Sequence, residues 1–419
     1  MVWGCSWVLS SGLAADWAQW RGPSRTGALA VGERLPDRLP EAPRVLWRAK
    51  CGEGFSSPVV AGDTVVVFDN QGGRETLRAL SKAEGRERWR AEIDDTFRDG
   101  QGPPGPRCTP MVDGDRVYAQ SCRGELRCLS LADGRLLWRT HYGTNFGAVF
   151  LGEKGSAPGA TRHGNNGSPV IDGDWLYASV GSTNGAGMVC FDKRTGAERW
   201  RSGHEVAAYA APVVVDLMGT RQVVNFMAEA LTSFGAGDGR QWWRFPVKTA
   251  FARHVTTPVV WGDLVVVSSH QYGLFAVKIG PDAATGGLQA TEVWKSTEAA
   301  MNFSCPIAVG EVLVGLGPAK EVVAVDLASG RVRWRQEGWI TSSRDKAHAA
   351  FLTDGVSVLM LGDDGVLVLF RPEATAAREL GRVQLCKGNW CNPAYVDGRL
   401  YVRDNIKGPG EVLAVELRP

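Results

Sequence analysis

Short runs of β-branched and apolar residues recur along the whole chain, each bounded by a break that contains glycine. A typical stretch opens with a small residue and proline (Ser57, Pro58) and continues through Val59, Val60 and Ala61. It breaks at Gly62 and Asp63 and resumes from Thr64 to Phe68. Two such runs around a two-residue glycine break predict a β-hairpin. Proline at the strand start costs no ladder hydrogen bond. The same opening stands at Thr109–Pro110, Ser168–Pro169, Ala211–Pro212, Thr257–Pro258, Cys305–Pro306 and Asn392–Pro393.

Downstream of these openings a second phrase returns: a small residue, an acid or hydroxyl, glycine, a polar step and tryptophan. It spans Ala79 to Trp89, Cys128 to Trp138, Cys190 to Trp200, Ser233 to Trp243 and Ala324 to Trp334. Trp294 ends a weaker copy. Each unit therefore predicts a hairpin, a third strand, a tight turn and a fourth strand that carries the tryptophan. Four antiparallel strands in a unit of roughly 40 to 60 residues is the pattern of a β-propeller blade.

Seven units open with the proline phrase, and a degenerate eighth lies at His348 to Phe351. The last unit ends at Val412 to Leu417 without a tryptophan strand, whereas an orphan one, Pro43 to Arg48 with Trp47, precedes the first. The predicted fold is all-β: an eight-bladed β-propeller of four-stranded antiparallel blades, closed by an N-terminal strand in the last blade, so that no sheet edge is left open at the seam. Residues 43–419 form this single domain, 16–42 an N-terminal extension, and 1–15 a signal peptide, because an apolar run ends in Leu13, Ala14 and Ala15. The basic start of such a signal is missing, and Cys5 lacks the setting of a lipidated cysteine.

A length of 419 residues would by itself suggest more than one domain, but eight units in one ring make one. A formal net charge of +2 gives no reason to expect nucleic acid. No run reaches transmembrane length, and a monomer is expected. Of nine cysteines, Cys128 and Cys190 replace the alanine of the repeat and read as buried small hydrophobes. Cys108 and Cys122 flank a hairpin turn at similar distances, which predicts a disulfide if the protein is exported. Cys386 and Cys391 are a weaker pair. No paired Cys-x-x-Cys spacing points to a metal.

The tryptophan phrase resembles the tryptophan-docking motif of pyrroloquinoline quinone (PQQ) repeat propellers. That resemblance implies that Trp47, Trp89, Trp138, Trp200, Trp243, Trp294 and Trp334 stack on neighbouring turns at Gly85, Gly134, Gly196, Gly239 and Gly330. An indole laid flat on a peptide needs a residue without Cβ beneath it. The leader Asp16 to Gly27 and the stretch Val180 to Lys193 look like an exported bacterial subgroup similar to the propeller lipoprotein of the outer-membrane β-barrel assembly machinery. This implies an exported, periplasmic or cell-envelope location.

PQQ dehydrogenases resemble the chain in their blades, and the resemblance implies two adjacent cysteines and calcium-binding acids, neither of which can be matched here. No Gly-x-Ser-x-Gly elbow, His-Glu-x-x-His or P-loop occurs. Gly235, Gly237 and Gly239 belong to the repeat turn. The expectation is a non-catalytic binding or scaffold protein for a protein, peptide or polysaccharide, with no cofactor and no catalytic residue. The alternative is a quinoprotein-like oxidoreductase with PQQ and calcium at a diverged site.

Propellers place ligands where the connections between blades converge, and here those segments precede each proline. They carry Arg107, His163, Asn165, Asn166, His204, Tyr209, Arg253, His254, Asn302, Arg344, Asp345, His348, Asn389 and Trp390, a polar rim above apolar strands. The alternative reading of these residues is ordinary solvated loop. A metal held by His163, His254 and His348 would require three loops to converge on one ion. Tyr142 to Gly167, with Phe146 and Phe150, is the longest connection and a candidate flap. Tyr118, Tyr177 and Tyr401 read as blade packing, and Trp339, like Trp390, falls outside the phrase.

Overall fold

The computed structural model describes residues 16–418 apart from 101, 155, 341–346, 405–407 and 409. Eight four-stranded antiparallel sheets follow one another around a ring. Blade 1 comprises Val59–Ala61, Thr64–Gln71, Arg74–Ser81 and Glu87–Asp95. Blade 2 is Met111–Asp113, Arg116–Gln120, Glu125–Ser130 and Leu136–His141, and blade 3 is Val170–Asp172, Trp175–Ser182, Ala186–Asp192 and Glu198–Ser202. Blades 4 and 5 run from Val213–Leu217 to Gln241–Pro246 and from Val259–Trp261 to Gly287–Ser296. Blade 6 runs from Ile307–Val309 to Val332–Gln336, and the degenerate blade 7 from Ala349–Thr353 to Ala377–Gln384. Blade 8 takes Ala394–Val396, Arg399–Asp404 and Gly410–Glu416 from the end of the chain and Arg44–Cys51 from its beginning. In that pairing Trp47 lies opposite Ala414, which closes the ring with hydrogen bonds.

The hairpin breaks work through backbone geometry. Gly62 has φ +54° in a two-residue turn that pairs Ala61 with Thr64, a conformation in which an L side chain is strained. The second and third strands of each blade are mostly buried, as Thr64–Gln71 and Arg74–Ser81 are, whereas outer strands alternate: Glu87–Asp95 exposes Arg88 and Arg90 and turns Trp89 and Ala91 toward blade 2. The core is thus divided among the seams between sheets. Val59, Val66 and Leu77 of blade 1 pack with Val112, Val117 and Leu129 of blade 2, and Trp334 and Val314 of blade 6 with Met360 and Phe370 of blade 7.

Each tryptophan spans one seam. A Cβ built on Gly85 would lie 2.4 Å from the Trp47 ring, and one on Gly134 would lie 2.5 Å from Trp89. Trp138 lies in the same way against Gly196, Trp200 against Gly239 and Trp294 against Gly330. The indole N–H then donates to the same turn: Trp47 to Lys82 O (2.9 Å), Trp89 to Leu131 O (2.7 Å) and Trp138 to Lys193 O (2.9 Å). Tyr118 Oη donates to that last carbonyl as well, at 3.1 Å, and Tyr177 shares Ala236 O with Trp200. Two positions depart from the expected stacking on glycine. Trp243 donates to Gln222 Oε1 of its own blade (2.9 Å); blade 5 carries its glycine turn, at Gly286, at the end of the longer arm Gly273–Asp282 and Gly287–Ser296, where a Cβ would meet nothing among the described residues. Trp334 donates to Glu373 O (2.8 Å) in a turn without glycine.

Candidate functional site

The innermost strands surround a central channel and present unpaired edges to it. Near the start of these strands, one girdle of hydrogen bonds passes from blade to blade. Asn392 N donates to Ser57 Oγ (2.9 Å), Ser57 N to Thr109 Oγ1 (3.2 Å), Thr109 N to Ser168 Oγ (2.8 Å) and Thr257 N to Cys305 Sγ (3.3 Å). At Ser57, Thr109, Ser168 and Cys305 the small residue before the proline is therefore an acceptor for its neighbour, a role the sequence does not announce.

The leader adds further contacts to the inner strands. Trp17 exchanges both backbone hydrogen bonds with Val60, Ala18 O accepts from Val112 N (2.8 Å), and Gly27 and Leu29 pair with Thr353. Further on, Tyr395 Oη donates to Arg34 O (2.8 Å) and Asp397 N to Glu33 Oε1 (2.6 Å). The extension over 16–42 is thus threaded into the end of the channel where the Gly-Asp turns lie. Gly22, at φ +82°, lies under the Trp17 ring, where a Cβ would come within 2.7 Å of it.

From this knot two arginines reach toward the starts of the inner strands. Arg21 Nη2 donates to Pro306 O (2.5 Å) and Thr26 O (3.0 Å). Arg25 donates to Ser168 O (2.8 Å) and Pro169 O (2.9 Å), on another side of the ring. They are 2% and 4% exposed. Burial, reinforced by the neighbouring Arg21 charge, pushes Arg25 down to about 9, and burial lowers Arg21 as well.

The connections before the prolines form the opposite end, the mouth. Arg107 Nη2 lies 2.8 Å from Asp99 Oδ2, the same oxygen that faces His163 Nδ1 at 2.8 Å. Arg107 Nη1 also donates to His163 O (3.0 Å), and Arg162 Nε donates to His163 Nε2 (3.2 Å). The Arg107 guanidinium lies 5.7 Å from the ring centres of both Phe55 and Phe97. Trp390 touches Phe55, Phe303 and His348 at centroid distances of 5.7, 5.4 and 5.4 Å, and Arg253 covers Phe303 at 5.7 Å. Aromatic rings and arginines therefore alternate around the opening. Tyr209 Oη donates to Gly159 O (2.9 Å) and lies beside His163, and burial raises its pKa. Buried polar atoms without a partner remain at Arg107 Nε, Asn166 Oδ1, Asn302 Oδ1 and His348 Nδ1.

The segment Tyr142–Gly167 joins several blades across this end. Phe150 meets Phe97 edge-on (4.9 Å), Gly159 N donates to Phe251 O (3.0 Å) and Ala160 N to Ala207 O (2.8 Å). Phe146 instead turns inward against Phe191. Phe251 and Ala252 follow one another at φ +61° and +48°, a left-handed pair without glycine.

Several expected rim residues lie elsewhere. His254 is fully buried, with Nδ1 at 2.7 Å from Met227 O, Nε2 at 3.0 Å from Thr249 Oγ1 and its ring stacked on Phe226 at 4.0 Å. Both nitrogens are committed, so it is a core histidine, held down at about 4 by burial. Asn165 donates to Cys122 O (3.2 Å), and Asn389 folds back on Cys391. His204 is exposed beside Thr183 O (3.1 Å), and Trp339 is buried against Phe370. Arg344, Asp345 and the 1–15 segment lie outside the described residues. Cys108 and Cys122 are free thiols, not a disulfide: Cys108 Sγ donates to Asn165 O (3.1 Å) and Cys122 Sγ to Gly105 O (3.4 Å). Cys386 and Cys391 are free as well.

The three histidines considered for a metal do not converge. Among the described residues, the group with ligand atoms in reach of one ion is Asp99, Glu153 and His163. Arg107 and Arg162 already hold that carboxylate and that imidazole, and their charges oppose a cation there.

The family model described as "Outer membrane protein assembly factor BamB" matches residues 40–203, 74–336 and 184–417. The chain belongs to this family. No curated protein matches its sequence. Among solved structures, BamB from Moraxella catarrhalis is similar at 15% identity, over 89% of this chain and 99% of that one, with a TM-score of 0.56. The computationally designed Ika8 protein is similar at 10% identity, over 88% and 99%, with a TM-score of 0.59. The quinohemoprotein alcohol dehydrogenase from Comamonas testosteroni is similar at 15% identity, over 97% and 81%, with a TM-score of 0.50. At these identities the likeness is one of fold.

The dehydrogenase fold prompts a test of the mouth against a quinone with calcium. Asp99, whose carboxylate is completely covered, has Arg107 at hydrogen-bond range, so a calcium ion on it would meet a guanidinium charge. No two cysteines are adjacent in the chain. The residues present do not fit that pair.

Proposed function

We propose that the protein is a non-catalytic, exported propeller of the cell envelope that binds a polypeptide partner at the mouth of its channel. One observation carries this reading: of the eight large exposed hydrophobic side chains among the described residues, three, Val149 (55% exposed), Leu151 (48%) and Phe251 (43%), belong to the mouth connections. The Ala160–His163 turn joins them. Leu151 N donates to Thr161 O (2.8 Å), and the Arg162 guanidinium lies 5.0 Å from the Phe251 ring centre. Arg123 covers Phe150 in the same way at 5.8 Å. Exposed apolar groups flanked by arginine stacked on aromatic rings have the composition of a protein-binding surface. The unpartnered donors and acceptors below them add polar anchors of both kinds.

The histidines do not form a catalytic set. His163 is saturated by Asp99 and Arg162, His254 is a core group, and His348 lies beneath Trp390. The test is a peptide array probed with the purified chain and with Phe251→Ser and Arg123→Glu variants. Peptides that combine apolar and acidic residues should bind the parent and lose at least tenfold in affinity for each variant. Preferential binding of polysaccharide, or alcohol oxidation with added PQQ and calcium, would overturn the reading.

A further inference from the structure

We infer that the floor of the channel, between Arg21 and Arg25, is a binding site for a small inorganic anion. This does not rest on the polypeptide reading of the mouth. Both guanidiniums are almost completely buried, and among the described residues neither forms an ion pair with a carboxylate. The neighbouring titratable groups are the Cys305 thiol for Arg21, and Arg21 and the Cys108 thiol for Arg25. Guanidinium stays protonated in proteins, so the site carries two positive charges without a countercharge. Other deeply buried arginines have a carboxylate near them: Arg78 lies 2.5 Å from Asp69, Arg107 lies 2.8 Å from Asp99, and Arg403, whose hydrogen bonds go to carbonyls, still has Asp69 among its neighbouring charges.

The carbonyls of Thr26, Pro306, Ser168 and Pro169 take some of the guanidinium donors. Arg21 Nε, Arg21 Nη1 and Arg25 Nε are buried and have no partner. A buried charge with unmade hydrogen bonds is strongly unfavourable, and an anion placed between the two side chains relieves both costs at once. The leader positions them for this. Gly22 and Gly27, at φ +82° and +85°, fold the chain between Arg21 and Arg25 back on itself, and Gly27 N donates to Arg21 O at 2.9 Å. The side chains thereby leave one tight knot and reach carbonyls on different blades.

Crystals of the full chain soaked in sodium bromide, and separately in sodium selenate, test this by anomalous scattering. A peak in contact with Arg21 and Arg25 in either soak supports the site. A bromide peak identifies a halide site and a selenate peak an oxyanion site. Anomalous peaks confined to the surface in both soaks, an adventitious ion only, would overturn it. In solution, whichever of the two anions gives the peak, titrated at constant ionic strength, should raise the unfolding temperature of the parent, because a ligand that binds only the folded state stabilises it. Arg25→Gln should weaken that dependence about tenfold or more, in line with loss of a charge-assisted contact. Equal dependence in both proteins would contradict the inference. Should the variant not fold, the soaks of the parent still decide.

Discussion

The two ends of the channel are built on opposite plans. At one end the leader repairs the inner strands: Trp17 pairs with Val60, Gly27 and Leu29 with Thr353, and backbone groups meet backbone groups. At the other end the connections meet through side chains, with rings and guanidiniums stacked around the opening and four buried polar atoms left without partners. The first arrangement spends its backbone groups on the fold and leaves unpartnered guanidinium nitrogens of Arg21 and Arg25 inside the channel. The second leaves groups available, and a partner is expected there.

The largest effect that could break this contrast is at the leader. Trp17→Ala removes a buried indole from the plug and should cost about 3–5 kcal/mol in chemical denaturation. A loss below about 0.5 kcal/mol would mean that the leader is a loose tail. Next, Gly134→Ala drives a methyl group into Trp89 at a positive φ and should cost about 2–4 kcal/mol, from overpacking and the left-handed backbone together. Gly114→Ala, also at positive φ but with open space around it, should cost only about 1 kcal/mol. Equal losses would deny the tryptophan its role in the seam.

Acid should weaken the mouth. Burial holds His348 at about 4 in the folded chain, below the ordinary histidine value near 6.5. The unfolded chain therefore binds the proton first, so stability falls as pH drops from about 6.5 to about 4, by up to about 3 kcal/mol for this ring. His254 acts in the same direction. Glu75 is buried and raised to about 7; it stabilises the protonated fold at low pH and loses that contribution as pH rises through 7. His348→Phe keeps a ring against Trp390 and should flatten the acid limb by about the share of one histidine. An unchanged limb would show that His348 is not protected in the fold. The smallest effect on stability is expected at Phe251→Ser, within about 0.5 kcal/mol, although this variant should lose the partner.

The sequence made the ring legible because a blade is a local unit. Spacing alone located the hairpins, the seam tryptophans and closure by Trp47. Where the repeat rule failed, another group had taken the place of the neighbouring glycine turn: Gln222 of the same blade takes the Trp243 N–H, and blade 7 offers Glu373 O without a glycine. The position of the mouth was also legible, but its division into surface and core was not. His254 and Asn165 descend from the same connections that present Arg253 and His163, and only packing separates them. The leader was recognisable as a phrase, yet its partners lie on blades up to the far side of the ring, and no periodicity encodes such contacts. Ser57, Thr109 and Ser168 looked merely small, although their hydroxyls tie neighbouring blades together.

The central claim is that partners meet the mouth and not the plugged end. Site-specific photo-crosslinking in the native cell tests it most directly, with the photoreactive residue placed at Phe251 in one protein and at Val356, an exposed turn of blade 7 beside the leader contacts, in another. The account predicts a discrete polypeptide adduct at 251 and none at 356. Adducts of equal yield at both positions, or adducts only at 356, would contradict it.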